Sequence, residues 1–409
     1  MAQVSVVMVG IGGYGAEYVS ALDRLPSGTV RLTGAVDPYP HRSRAAQEFS
    51  KRDVPMFSAL EELFDAGCTA DLVVIASPIH YHVPQSIVAL GHNCDVLCDK
   101  PLGGAIQEAT ALIRARDASE RSVRIGYQWS YSEGIQALKR DIQAGRFGVP
   151  LRMKTACFWP RTVSYYQRND WAGRLRDRST GRWVLDSPLN NALAHFLHNL
   201  FFLLGPTVGT SATPMEVTAE ACRANGIESF DTVACRARTS EGVEMLFYGS
   251  HASRDSQGPK FELEFEEARV SYAAPVGNGV NEIIIDVNGR RVGIYPSPDV
   301  DDQFAKLKEA VRAVTRDEPV TCGPEAAVAQ TLCANGVHES VPEILTVSTA
   351  IRRRGVDPDR YWIEGLETGL WRCYERYVLP SELGLSWAVS GRTVDLTNYD
   401  HFPATENSA

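Results

Sequence analysis

Gly10-Ile11-Gly12-Gly13-Tyr14-Gly15 has the G-x-G-x-x-G spacing of a turn that can cradle phosphates. A strand-like run, Gln3–Val9, precedes it, and apolar residues at helical spacing follow over Tyr14–Leu25. In that setting Gly10 permits the tight turn, Gly12 lets the backbone approach a pyrophosphate, and Gly15 lets helix and strand pack closely. The first N–H groups of the helix are left for the phosphates. Asp37 closes the second strand about 20 residues on, where its carboxylate accepts ribose hydroxyls and repels a 2′-phosphate. The loop therefore reads as a dinucleotide site for NAD ahead of NADP, although Arg42 and Arg44 nearby leave NADP use open.

Three other groups are equipped for chemistry. Lys100 falls at the carboxyl end of a predicted parallel strand, where such sheets bind ligands, and Pro101 fixes the turn that presents it. An ammonium there can polarise a hydroxyl or carbonyl and stabilise a developing alkoxide. Asn191, His195 and His198 are spaced i, i+4, i+7 and are expected on one polar face of an otherwise apolar helix, Asn190–Leu204. The loop Arg161–Arg178 carries Tyr165, Tyr166, Arg168, Asp170, Trp171 and Arg174, a mixture suited to a sugar ring or an anionic substituent. Packing of this loop against a neighbouring subunit is the other reading.

The elements that must position these groups change character along the chain. Strand and helix signals alternate through Tyr127, the pattern of a parallel sheet wound by helices. Beyond Val149, strand-like runs follow one another over Leu151–Trp159, Met215–Arg223, Thr232–Ser240, Val243–Ser250, Lys260–Phe265 and Ile283–Val287. Hairpin signals stand at Ser240-Glu241-Gly242 and Asn288-Gly289. Three helices are predicted in this half, at Asn190–Leu204, Asp302–Thr315 and Pro324–Ser340. The fold class is thus α/β: an N-terminal Rossmann-type doubly wound parallel sheet, then an α+β domain with an open, mostly antiparallel sheet. The divisions are 1–128 for the dinucleotide domain, 129–345 for the substrate and oligomerisation domain, and 346–409 for an aromatic-rich arm packed on the body.

With 409 residues, 44% hydrophobic and 22% charged, the chain suits a soluble protein of two domains. A net charge of -9 argues against nucleic acid as a partner. No stretch has the length and apolarity of a membrane helix, and no secretion signal is apparent at Met1–Gly10. The nine cysteines form no C-x-x-C pair, so reduced thiols, a cytoplasmic location and no structural metal are expected. The open sheet face points to a homo-oligomer, a dimer or tetramer.

Four motifs in order, Ser77-Pro78-Ile79-His80-Tyr81-His82, Cys98-Asp99-Lys100-Pro101-Leu102, Gly126-Tyr127-Gln128 and Ile142-Gln143-Ala144-Gly145-Arg146-Phe147-Gly148, carry a resemblance to a known family. Over roughly residues 4–345 the sequence resembles the Gfo/Idh/MocA family, the glucose-fructose oxidoreductase and inositol dehydrogenase relatives. The family's Glu-Lys-Pro appears as Asp99-Lys100-Pro101, and its Thr-Pro-Asn as Ser77-Pro78-Ile79. The resemblance implies a substrate held between the domains, over the nicotinamide. It also implies cofactor contacts from Gly10, Ile11, Gly12, Gly13, Tyr14, Gly15, Asp37, Ser77, Pro78, His80, His82, Asp99, Lys100 and Gln128.

His195 falls on the family's catalytic histidine, and its imidazole suits removal of a hydroxyl proton. With Lys100 it forms the expected proton-handling pair, and Asn191 is the third catalytic candidate. Asn191 stands where the family typically has Asp, and His198 where Asp is common. Substrate contacts are expected from Lys100, Tyr166, Arg168, Trp171, Asn191, His195 and His198. The leading expectation is an NAD-dependent dehydrogenase of a secondary hydroxyl on a sugar, polyol or cyclitol. The alternatives are a redox-neutral enzyme that oxidises a sugar transiently before cleavage or isomerisation, and a non-catalytic NAD-dependent sensor.

Overall fold

The computed structural model describes residues 3–274, 281–300, 302–316 and 318–404. Met1, Ala2 and residues 405–409 of the expected arm lie outside them. The chain begins β1 (Val4–Val9), α1 (Gly15–Asp23), β2 (Val30–Val36), α2 (Ala46–Lys51), β3 (Met56–Phe57), α3 (Leu60–Asp65), β4 (Leu72–Ile75) and α4 (Ile79–Gly91). It continues with β5 (Asp95–Cys98), α5 (Ile106–Ser119) and β6 (Val123–Ile125). The strands pair in parallel in the order β3-β2-β1-β4-β5-β6. That is the doubly wound order whose crevice lies at the carboxyl ends of β1 and β4. β4 is buried at every residue, as a strand covered on both faces must be. At the start of α3 (Leu60) the Glu62 carboxylate accepts from the Ser58 and Ala59 amides.

The second half runs α6 (Glu133–Gln143), β7 (Pro150–Phe158), α7 (Val163–Gln167), α8 (Ala194–Leu203), β8 (Pro214–Arg223), β9 (Thr232–Thr239) and β10 (Glu244–Ser250). It goes on through β11 (Gln257–Phe265), β12 (Arg269–Ala273), β13 (Ile283–Val287), β14 (Arg290–Tyr295), α9 (Ala305–Thr315), α10 (Pro324–Ser340) and β15 (Leu345–Thr346). The sheet order is β14-β13-β12-β11-β7-β10-β9-β8-β15, antiparallel except at β7–β10 and β8–β15. Both predicted hairpins form, and the turn joining β13 to β14 has Asn288 and Gly289 at positive φ (51° and 75°), as a two-residue hairpin turn requires.

Two features depart from the sequence reading. α9 does not stay with the second domain: Phe304, Leu307, Ala310 and Val311 pack with Val6, Met8, Tyr18 and Leu97 of the first. An amphipathic helix specifies an apolar face but not which surface covers it, so the boundary at 128 separates segments that share a core. The sheet's outer face is also partly covered. Residues beyond β15 form β16 (Arg352–Val356), β17 (Asp359–Ile363), α11 (Leu366–Arg376) and β18 (Val394–Asp395), the last paired with β8. Leu366, Leu370, Cys373 and Tyr374 of α11 bury Ala156, Phe158, Ala234, Leu246 and Tyr248 of the sheet. Part of the face expected to bind another subunit is therefore covered by the chain's own arm. No helix among the described residues is long and apolar enough to cross a membrane. All nine cysteines are unpaired and eight are buried.

Candidate active site

The loop between β1 and α1 is shaped by steric exclusion on one side and open space on the other. Gly10 has φ +77°, and a Cβ there would stand 2.8 Å from the Ala76 carbonyl. At Gly15 a Cβ would meet the Gly10 oxygen at 1.9 Å. Gly12 has only Asp37 Oδ2 within reach, at 3.9 Å, and Gly13 has nothing within 4 Å. The amides of Gly12, Gly13 and Tyr14 donate to no group among the described residues. A concave, side-chain-free surface with unspent N–H donors at a helix start fits a pyrophosphate. Asp37 is tied in place by the Ile11 amide (3.1 Å) and the Tyr39 amide (2.8 Å), and its remaining lone pairs can take ribose hydroxyls. Ser77, beyond β4, donates to Gln85 (2.6 Å), Pro78 caps α4, and Gln128 is half-buried beyond β6. These groups rim the same crevice.

Lys100 leaves the end of β5 and reaches across to the second domain. Its Nζ donates to the backbone carbonyl of Asn191 (2.7 Å) and lies 3.4 Å from Asn191 Oδ1. Asn191 Nδ2 in turn donates to Asp186 Oδ1 (2.7 Å), while Asp186 Oδ2 accepts the Gly173 amide (2.5 Å). Asn191 is not on α8: it follows a short 3-10 turn at Pro188–Asn190, and the helix begins only at Ala194. A proline at 188 favours that turn, and the backbone angles of Asn191 (φ -135°, ψ -98°) break the helical path. Asn191 is thus joined to a carboxylate five residues earlier in the chain, that of Asp186.

His195, in the first turn of α8, has a buried Nδ1 with no hydrogen-bond partner. Burial, and after it the charges of Lys100 and Lys306, holds its pKa well below the ordinary imidazole range, so the ring is neutral at pH 7. Burial also lowers the Lys100 ammonium, opposed by Asp99 and Asp186. The Asp186 carboxyl is pushed up by burial and drawn back by the Gly173 and Asn191 hydrogen bonds.

Several predicted residues take other places. His198 is 1% exposed, stacked on Tyr127 at 3.8 Å, with Nε2 against Ser130 (2.9 Å), so it is core and lines no cleft. His82 is buried between the Pro101 and Ser77 carbonyls (2.7 and 2.8 Å), bracing the two loops that carry Lys100 and Ser77. His80 is buried beside Asp177 (3.7 Å), its pKa lowered by burial to about 4. It thereby meets the loop Arg161–Arg178 from the first turn of α4.

Asp99 is buried and takes the Lys306 ammonium (3.0 Å) and the Tyr18 hydroxyl (3.1 Å). Lys306, 1% exposed on α9, also donates to the Gly126 carbonyl (3.1 Å) and locks Asp99 beneath the crevice. Sequence reasoning missed Lys306, whose only local signal is a lysine among the apolar positions of a helix. Of the loop residues, Tyr166 has a buried hydroxyl without a partner and stands edge-on to Tyr165. Arg168 lies 3.6 Å from the Tyr165 ring and 5.1 Å from that of Trp171. Tyr165 itself approaches Asn191 Nδ2 (3.4 Å), so this loop joins the Lys100 cluster.

Comparison with known proteins places these features in context. Residues 4–127 match the model of the Gfo/Idh/MocA oxidoreductase family, NAD-binding Rossmann fold. Inositol 2-dehydrogenase of Burkholderia cenocepacia (strain HI2424) is 27% identical over 203 residues, 49% of this chain and 55% of that protein. Inositol 2-dehydrogenase of Salmonella paratyphi B (strain ATCC BAA-1250 / SPB7) is 27% identical over 192 residues, 46% and 56%. The chain spans about half the length of the curated relatives it matches. Among solved structures, the WlbA dehydrogenase of Bordetella pertussis in complex with NADH and UDP-GlcNAcA superposes with TM-score 0.67 at 18% identity, over 83% of this chain and 97% of that one. The myo-inositol 2-dehydrogenase of Lactobacillus plantarum gives TM-score 0.63 at 16% identity over 83% and 97%. At these identities the likeness is one of fold.

Proposed function

Starting from an N-terminal segment that is the NAD-binding Rossmann fold of the Gfo/Idh/MocA oxidoreductases, we propose that the chain oxidises a secondary hydroxyl of a sugar, polyol or cyclitol. The observation that carries this reading is the convergence of Lys100 from the end of β5 with Asn191, Asp186 and His195 from the second domain. Gly10–Gly15 and Asp37 would hold NAD, which supplies a two-electron acceptor for hydride. Asp37, held at the end of β2 by the Ile11 and Tyr39 amides, would repel a 2′-phosphate, which supports NAD over NADP.

The chemistry assigned to the residues balances as follows. The substrate C–H bond breaks with its electron pair, which leaves as hydride, and the O–H proton passes to a ring nitrogen of His195 and then to solvent. The carbonyl C=O forms in its place. His195, neutral at pH 7, can accept that proton, while the Lys100 ammonium stabilises the oxygen as negative charge develops on it. Asn191 holds the ammonium from the opposite side and so aims it.

A screen of sugars and cyclitols with NAD and with NADP, followed by absorbance of the reduced cofactor, tests the assignment. Oxidation by the natural sequence with NAD, lost in Lys100→Ala and lowered roughly 10²–10⁴-fold in His195→Ala, is the expected result. If no compound is oxidised, and the variants bind ligands as the natural sequence does, the dehydrogenase assignment is wrong.

A further inference from the structure

Two further cations stand over the same cleft. Arg161 follows β7, its amide donating to the His251 carbonyl (3.0 Å), and its guanidinium carbon lies 4.9 Å from the Tyr165 ring centroid. Its Nε is buried without a hydrogen-bond partner, and no carboxylate of the described residues comes within ion-pair distance. Arg168 leans on the same ring from the rim, and its guanidinium donates only to the Tyr165 carbonyl (2.6 Å) among the described residues. Beside them the Tyr166 hydroxyl is also buried and unpartnered. Arg161 is near enough to Lys100 to depress its pKa.

The acids at hand do not balance this charge. Asp99 is taken by Lys306, and Asp186 by the Gly173 amide and Asn191. Asp231, held by the Ala224 and Asn225 amides and near enough to Tyr166 to raise its pKa, is the third acid. Four cations, Lys100, Lys306, Arg161 and Arg168, stand against three carboxylates, so four minus three leaves one positive charge uncompensated. His251 adds none, since burial and the Arg161 charge lower its pKa to about 3. A planar guanidinium with an unspent donor suits a carboxylate or phosphate, whose paired oxygens match its fork.

We propose that the substrate is a hydroxylated anion, a sugar acid or sugar phosphate, whose charged group is received by Arg161 while the hydroxyl to be oxidised lies at Lys100. Arg168, at the rim, steers the anion in. The assignment rests on the dehydrogenase reading above and adds the class of substrate to it.

The test compares glucose, glucuronate and glucose 6-phosphate, both in turnover with NAD and by calorimetric titration of the NAD-loaded full chain. One of the two anions is expected to exceed glucose in kcat/KM or affinity, and glucuronate against glucose 6-phosphate tells carboxylate from phosphate. Arg161→Gln is expected to cut the anion-to-neutral ratio roughly 10- to 100-fold. Arg161→Lys, which keeps the charge, retains part of that ratio and shows that the change is not general misfolding. Turnover of none of the compounds counts against the dehydrogenase reading, and calorimetry then decides the anion assignment alone. Binding of both anions no tighter than glucose, or a ratio unchanged in Arg161→Gln, overturns it.

Discussion

Between Asp186 and Lys100 stands Asn191, hydrogen-bonded to both, so the carboxylate acts on the ammonium through an intervening amide and through its field. Asp186 is a positioning residue, and its effect has a definite sign. Its negative charge raises the Lys100 pKa against the lowering due to burial. Asp186→Asn keeps an acceptor for the Gly173 amide but removes the charge, so the Lys100 ammonium is lost at lower pH. The alkaline limb of kcat/KM, set by loss of that proton, is expected to move to lower pH. The acid limb, set by His195 below the usual imidazole range, is expected to stay where it is. A pH profile of the variant checks this, and an unmoved alkaline limb refutes it. At this scale the sequence made Lys100 and the glycine turn legible, because each is fixed by neighbours in the chain. Asp186 and Lys306 were not, because their partners lie in segments that only the tertiary fold brings together.

The loop that carries Gly173 and Asp186 is braced from outside as well as from the cleft. Trp183 packs edge-on against Phe402 at 4.8 Å, and Leu185, Ala105 and Phe402 form a small buried cluster. Gly104 makes room for this, since a Cβ there would stand 2.2 Å from the Trp183 carbonyl oxygen. Phe402 is 5% exposed, and Phe402→Ala is expected to destabilise the fold by about 3–5 kcal/mol. It should also raise KM, because the loop loses its outer support. Thermal unfolding and steady-state kinetics measure the two effects, and an unchanged KM would show that the loop is held from within. The strands of both sheets were readable from alternation and apolar runs, and the Asn288-Gly289 hairpin from its two residues alone. The placement of α9 on the first domain was not, since an amphipathic stripe says only that some surface will cover it. The same limit hid α11: its apolar residues announced a packed arm but not the part of the sheet face it covers.

For the molecule as a whole, the partial cover on that face changes what the second domain can join. The part of the outer face beyond α11 is charged, with Arg152, Lys154, Lys260, Glu262, Glu264 and Arg269 around a cavity of about 710 Å³. Among the described residues, charged side chains outnumber apolar ones in the lining of that cavity. Light scattering is expected to report the mass of one chain, 44.9 kDa. A dimer that dissociates on Lys260→Glu would show instead that the strip is an interface. The pair of hydrogen bonds between Gln107 and the Phe402 backbone (2.9 and 3.0 Å) spans 295 positions of sequence and joins α5 to the arm. On the ribosome, at about 5–20 residues per second, roughly 15–60 s separate synthesis of those two ends. During that interval the nascent chain has its glycine turn and Lys100 but an unbraced loop at Asp186. The nucleotide half itself waits for α9 and Lys306, so each half of the crevice is completed by a segment made long after its first residues.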